Sequence, residues 1–316
     1  MGSLVYSNLA IINGGRMGQI DNPLPSTDTT GLYDGKTLVI TSATSVQPNV
    51  LLRTGVFTPV GRTTDATEVK TLDLSADLIS LDLCQTEGYD HVQMRGPRLN
   101  IETDFRVWCG IVFVFATQGY SANTVKLPFS EFARKCGYPS RRFDANLRRQ
   151  IGDSLARIQG QKMSFRRKSA EKAVHTGMLL RAMYDGEEDV VELMADETLW
   201  DLYRLDHQVL VSLQILKMLP RAEVAQTLYL FFSSLPNNPV PVSFERLRER
   251  VRLETSDKEA NRKIKQGIMK LQAIGYLSGS FLTKNRQQYY IVHGRVKQLA
   301  VPVGVVPVDV EPVDLD

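Results

Sequence analysis

Arginine and lysine recur at helical spacing in two stretches of the chain. In RRFDANLRRQIGDSLARI, residues 141–158, Phe143, Leu147, Ile151, Leu155 and Ile158 fall on one narrow arc, while Arg142 and Arg149 lie opposite, flanked by Arg141 and Arg148. In residues 257–274, Ala260, Ile264, Ile268 and Leu271 form an apolar stripe, with Arg262, Gln266 and Met269 opposite and Lys258 and Lys265 at the sides. A helix anchored by one apolar face, with long cationic and amide side chains on the other, suits a DNA duplex. Phosphates attract the cations, and base edges in the major groove are read by arginine and amide groups. Arg262 is the residue expected to make a bidentate guanine contact, with Lys258, Lys265 and Gln266 on neighbouring bases and phosphates. Arg166, Arg167 and Lys168, in KMSFRRK, and Lys284 and Arg286, in a polar turn, are expected to meet phosphates.

Other chemistry finds little support. Tyr289 and Tyr290 invite comparison with a strand-nicking tyrosine, but Ile291 and Val292 beside them suit a packed strand, and no HxH metal cluster accompanies them. His91, His175, His207 and His293 lack ligand spacing, and no G-x-x-x-x-G-K-[ST] loop occurs. Cys84, Cys109 and Cys136 are odd in number and far apart, which suggests neither a disulfide framework nor a zinc site. Trp108 and Trp200 sit beside apolar residues and read as core. The expectation is a non-enzyme with no catalytic residues, no metal and no cofactor.

The elements around the two basic helices repeat. The apolar FRVWCGIVFVFA, helix or strand, is followed by LPFSEFARKCGYPS, in which Pro128 precedes a short amphipathic helix and Gly137 and Pro139 give a stop and a turn. Ser140 is placed to cap the basic helix. KMSFRRK, HTGMLLRAMYD and DVVELMAD then read as strands of a wing. RAEVAQTLYLFFSSLP, SFERLRERVRLE, the second basic helix, Gly275, and the hairpin from YLSGSFL to QQYYIVHG restate that order. Short helix, turn, basic helix and wing is the winged helix-turn-helix arrangement. The fold class expected is α+β: two tandem winged helix-turn-helix domains with a flexible N-terminal arm and a C-terminal tail.

A chain of 316 residues that is 43% hydrophobic and 23% charged accommodates two such domains. The boundaries expected are an arm over 1–45, domains over 46–206 and 207–296, and a disordered Val/Pro/acidic tail over 297–316. The net charge of +3 and pI near 8.7 conceal segregation, since residues 141–181 are dominated by Arg and Lys and residues 185–206 are nearly all acidic where charged. The stretch 185–216 suits interdomain packing or dimerisation. No run of eighteen apolar residues and no exported-type leader is visible, so a cytoplasmic protein without membrane contact is expected.

Several long segments carry a resemblance: QPNVLLRTGVFTP, RTTDAT, GPRLNIETDFRVW, FSEFARKCGYPSRR, LYRLDHQVLV, AQTLYLFFSSLP with PVPVSFERLRER, and LQAIGYL. From about Val46 to His293 the chain resembles the RepA-type, iteron-binding plasmid replication initiators. The resemblance implies two winged-helix domains that bind direct repeats (iterons) at a plasmid origin as a monomer, and a dimer that represses the initiator's own gene and so bears on copy number control. It also implies host chaperones that convert dimer to monomer, origin opening, and recruitment of the host initiator and helicase-loading machinery in a bacterial cytoplasm. The two ends do not share in the resemblance. The basic surfaces alone equally suit a winged-helix transcriptional repressor that binds an operator as a dimer.

Overall fold

The computed structural model describes residues 32–33, 36–37, 40–61, 68–75, 88–118, 124–167, 172–196, 203 and 208–296. The C-terminal tail expected over 297–316 and Lys168 lie outside the described residues, as does most of the expected N-terminal arm. In the arm, β1 (Leu32–Tyr33) pairs antiparallel with β2 (Lys36–Thr37).

The chain then forms β3 (Thr44–Pro48), α1 (Asn49–Arg53), β4 (Phe57–Thr58), β5 (Val69–Asp73), β6 (His91–Pro97) and β7 (Leu99–Asn100). FRVWCGIVFVFA resolves as helix, α2 (Asp104–Gln118), with Phe105, Val107, Trp108, Ile111, Val112, Val114 and Phe115 all buried. A helix apolar all round must sit at the centre of a domain. Around α2 pack α3 (Phe129–Lys135), preceded by β8 (Thr124–Pro128), and α4 (Ala145–Gln159), whose stripe Leu147, Ile151, Leu155 and Ile158 is buried.

Two details around α4 differ from expectation. Its cap is Asp144, whose carboxylate accepts from the Leu147 amide at 2.8 Å, and Ser140–Arg142 form a separate 3-10 turn. Arg141 and Arg142 therefore precede the helix instead of lying on it. The second difference concerns the wing. β9 (Lys162–Arg167) and β10 (Lys172–Gly177) join a four-stranded antiparallel sheet of order β10-β9-β6-β5, because Met163 and Phe165 face the core beside Val92 and Met94. The winged helix's own sheet is β11-β12-β8, built from β11 (Arg181–Asp185) and β12 (Val190–Met194). Arg166 and Arg167 thus belong to a different sheet from the hairpin that completes the first winged unit.

After β13 (Gln208–Ser212) and α5 (Leu213–Lys217), the second unit repeats the plan. Its elements are α6 (Glu223–Ser233), β14 (Val242–Ser243), α7 (Phe244–Val251), α8 (Asp257–Ala273), β15 (Leu277–Lys284) and β16 (Gln287–Arg295), in a sheet of order β14-β16-β15. β14 pairs with β16 as β8 pairs with β12.

The two units share one continuous apolar core and a tight seam. β3 pairs antiparallel with β13, from Thr44 opposite Ser212 to Pro48 opposite Gln208. Glu254, between α7 and α8, receives Lys70 of β5 at 2.6 Å and Arg98 at 2.8 Å, while Arg98 also donates to the Arg252 carbonyl and Arg252 to that of Thr54. Gly55 has φ +64°, and a Cβ there would stand 2.6 Å from the Arg250 carbonyl oxygen, so glycine alone permits this approach.

Candidate nucleic-acid interface

In the second unit, α8 is positioned before any side chain reaches outward. Ser256 caps it, accepting from the Glu259 amide, and Arg248 of α7 ties down its first turns through Asp257 at 3.2 Å and Asn261 at 2.9 Å. Ala260, Ile264, Ile268 and Leu271 are buried. At Gly267 the helix lies so close to α6 that a Cβ would meet Leu228 at 3.0 Å and Val224 at 3.1 Å. Exposed along α8 are Asp257, Lys258, Arg262, Lys265, Gln266, Met269, Lys270 and Ala273.

β15 runs back along this face. The Gln272 amide donates to the Gly279 carbonyl at 3.0 Å, and the Lys265 ammonium lies 5.2 Å from the centre of the Phe281 ring. The strand therefore carries the turn with Lys284 and Arg286 toward the N-terminal part of α8. Asn285 and Arg286 both have positive φ, 51° and 63°, giving a two-residue turn whose twist matches the hairpin. Arg286 stands where glycine is usual, a conformation that costs an L-residue about 1 kcal/mol. Lys258, Arg262, Lys265 and Gln266 on the helix and Lys284 and Arg286 at the hairpin turn are all exposed.

Arg262 is already engaged. Its Nε and Nη2 donate to the two carboxylate oxygens of Glu259 at 2.7 and 2.6 Å. The pairing holds the Glu259 carboxyl below its ordinary value and raises Arg262.

In the first unit the predicted arginines separate. Arg141, Arg142 and Arg149 are exposed near the start of α4, Arg142 stacked over Tyr138 and Arg149 hydrogen-bonded to Asn146 at 2.8 Å. Arg148 is turned away to the hairpin. Its guanidinium grips Asp189 through two bonds of 2.8 and 2.7 Å, donates to the Phe143 carbonyl, and stacks on Phe129 at 4.5 Å. Tyr184 donates to the same carboxylate, and the Arg148 hydrogen bonds hold Asp189 below the ordinary carboxylate range. Arg148 thus fastens the hairpin to the helix. Arg166 and Arg167 are exposed on β9. Asn146, on the first turn of α4 and exposed, is a base-edge type of side chain not singled out from the sequence. Its adjacency to Arg149 on one face, three residues apart, was the available signal.

Several other side chains considered from the sequence are packed in the core. Tyr290 is fully buried, and burial pushes its phenol up to about 12; Tyr289 donates to Gln287 at 2.6 Å. Trp108 is buried and donates to Gln47. Cys109 and Cys136 are buried free thiols, and Cys84, His207 and Trp200 lie outside the described residues. Among the described residues no cluster of three metal-ligating side chains occurs, and no helix is long and apolar enough to cross a membrane.

Residues 99–233, from β7 through α6, match the family described as Initiator Replication protein, WH1. A Replication protein RepA from Escherichia coli is 42% identical over 268 residues, covering 84% of this chain and 93% of that protein. The chain belongs to the RepA family of replication initiator proteins. A further RepA relative, a RepFIB replication protein A from Salmonella typhi, is 37% identical over 271 residues, covering 84% of this chain and 83% of its own. Among solved structures, domains 2 and 3 of RctB overlap 78% of this chain and 98% of that one, at 12% identity and a TM-score of 0.47. The WH1 stretch of the RepA family takes in α4 and its acidic hairpin, whereas α8 and its basic wing lie beyond it.

Proposed function

We propose that this protein initiates replication of a bacterial plasmid by binding direct repeats at its origin as a monomer, one chain to a repeat. α8 enters one major groove, and α4 faces the next on the same side of the duplex, about 10.5 base pairs away. The observation that carries this is the surface made by α8 and the β15–β16 turn, where Lys258, Arg262, Lys265, Gln266, Lys284 and Arg286 are exposed together. Family membership supports initiation, and the seam between the units supports a fixed spacing between two helices. Arg141, Arg142 and Arg149 supply phosphate contacts in the first unit, with Arg166, Arg167 and Lys168 as further candidates. Several chains on adjacent repeats bend the DNA, and the strain assists opening of a neighbouring AT-rich segment. Host initiator and helicase loader are recruited there, and chaperones supply monomers from a dimer that represses the initiator's own gene. The activity proposed is binding without catalysis, and burial of the Tyr290 phenol supports this reading.

The test is selection of bound sequences from a random duplex pool at about 0.15 M salt, conditions under which nonspecific phosphate binding is weak, followed by mass measurement of the complex. One chain on an asymmetric site spanning two helical turns is the expected result. Two chains on a palindrome would make the protein an operator-binding repressor, and no enriched motif would end both accounts.

A further inference from the structure

The engagement of Arg262 by Glu259 selects which edge of the guanidinium faces outward. Arginine has five N–H donors in a fixed plane. Glu259 occupies the side edge, Nε and one proton of Nη2. The end edge remains, with Nη1 and the other Nη2 proton, and this parallel pair matches O6 and N7 of guanine. A phosphate also fits this end edge, but the adjoining Glu259 carboxylate repels it, whereas a guanine edge carries no net charge to be repelled. Glu259 also stands three residues after the capping Ser256, where a carboxylate commonly turns back to the cap's own amide. Here it is turned forward along the helix to Arg262, with Lys263 at 3.9 Å. Exposed ion pairs contribute little to stability, and a carboxylate on a DNA-facing surface opposes binding to phosphates. Its presence at this position weakens all complexes and is useful where selectivity matters more than affinity.

We propose that Glu259 is a positioning residue for sequence reading: it holds the Arg262 guanidinium end-on for one guanine of the recognition site and withholds it from phosphates. The inference rests on α8 being the base-reading helix. The experiment replaces each guanine of the selected site in turn by 7-deazaguanine, which lacks the N7 acceptor, and measures binding by the full-length protein and its Glu259→Ala and Arg262→Ala variants. Thermal melts verify that the variants are folded. In the unsubstituted protein one guanine is expected to show a roughly tenfold loss, the size of one good base contact. In Glu259→Ala that loss is expected to shrink to about twofold while affinity for random DNA rises and its salt slope steepens by about 0.9, one added phosphate contact. A full 7-deazaguanine penalty in Glu259→Ala, abolished in Arg262→Ala, would overturn the role of Glu259 and leave base reading by Arg262 standing. If no guanine is sensitive in the unsubstituted protein, base reading by Arg262 fails, and the role of Glu259 fails with it.

Discussion

Behind α4 the hairpin closes on Asp185, Glu187, Glu188 and Asp189; behind α8 it closes on Lys284, Asn285 and Arg286. Strand, helix, helix and hairpin follow in the same order in both units, with the same strand pairing. In the first, an arginine of the basic helix is spent on the acidic hairpin through the Arg148–Asp189 pair. In the second, the hairpin brings further cations beside the helix. Topology therefore decides where a wing lies, and the residues at its tip decide whether it can meet a phosphate. In the proposed function the second unit is the base reader. In the same proposal the first, with Arg141, Arg142 and Arg149 exposed, holds the duplex in register.

The contrast breaks most directly at Arg262. Arg262→Ala is expected to lose ten- to hundredfold on the selected site and little on random DNA, whereas Arg149→Ala should weaken both alike; fluorescence anisotropy on the two DNAs decides it. Equal losses for Arg262→Ala on both would remove the distinction between the units. Asp189→Ala comes next: releasing Arg148 should tighten binding to random DNA about threefold and steepen the salt slope by about 0.9. Arg148→Ala should leave that slope unchanged. Each variant should lose about 0.5–1 kcal/mol in urea melts, the low figure reflecting an ion pair partly open to solvent. Because Asp189 titrates below its ordinary value of 3.8 in the folded protein, this stabilisation is present above that value and disappears as pH falls through the lowered one. The stability gap between the unsubstituted protein and Asp189→Ala should be flat near neutrality and close in acid.

Arg286→Gly sharpens the contrast through effects of opposite sign. Relief of the left-handed turn should add about 1 kcal/mol of stability, while DNA binding falls about threefold and the salt slope flattens by about 0.9. A gain in stability with unchanged binding would show that the wing tip does not touch DNA. Lys284→Ala is the mildest case, with a uniform two- to threefold loss across sequences expected in the same titration.

The second unit was legible because its determinants are local. The stripe Ala260, Ile264, Ile268 and Leu271, the stop at Gly275 and the turn at Lys284–Arg286 all follow from periods of three or four residues and from turn chemistry. The stripe of α4 was legible for the same reason. Helical periodicity placed Arg148 off the core but could not reveal Asp189, forty-one residues on, whose position depends on a strand pairing. Nor could it assign β9 to β6 rather than to the hairpin beside it, since alternation of buried and exposed residues states which face is inward and leaves the partner open. Phe143 fits the arc of α4 by spacing, yet it lies before the Asp144 cap and packs on Phe129 from a turn.

The pairing of β3 with β13 has a consequence for how the molecule is made. The partners are separated by the whole first unit, so their contact is among the most non-local in the chain, and closing so long a loop precedes any reward from it. Synthesis delivers the first unit complete before β13 emerges, at about 5–20 residues per second. The first winged helix consequently has time to fold before its base is clasped. α8, at Asp257–Ala273, emerges later still, so the clasp is available while the second unit is incomplete, and the second unit is completed on a base already joined to the first.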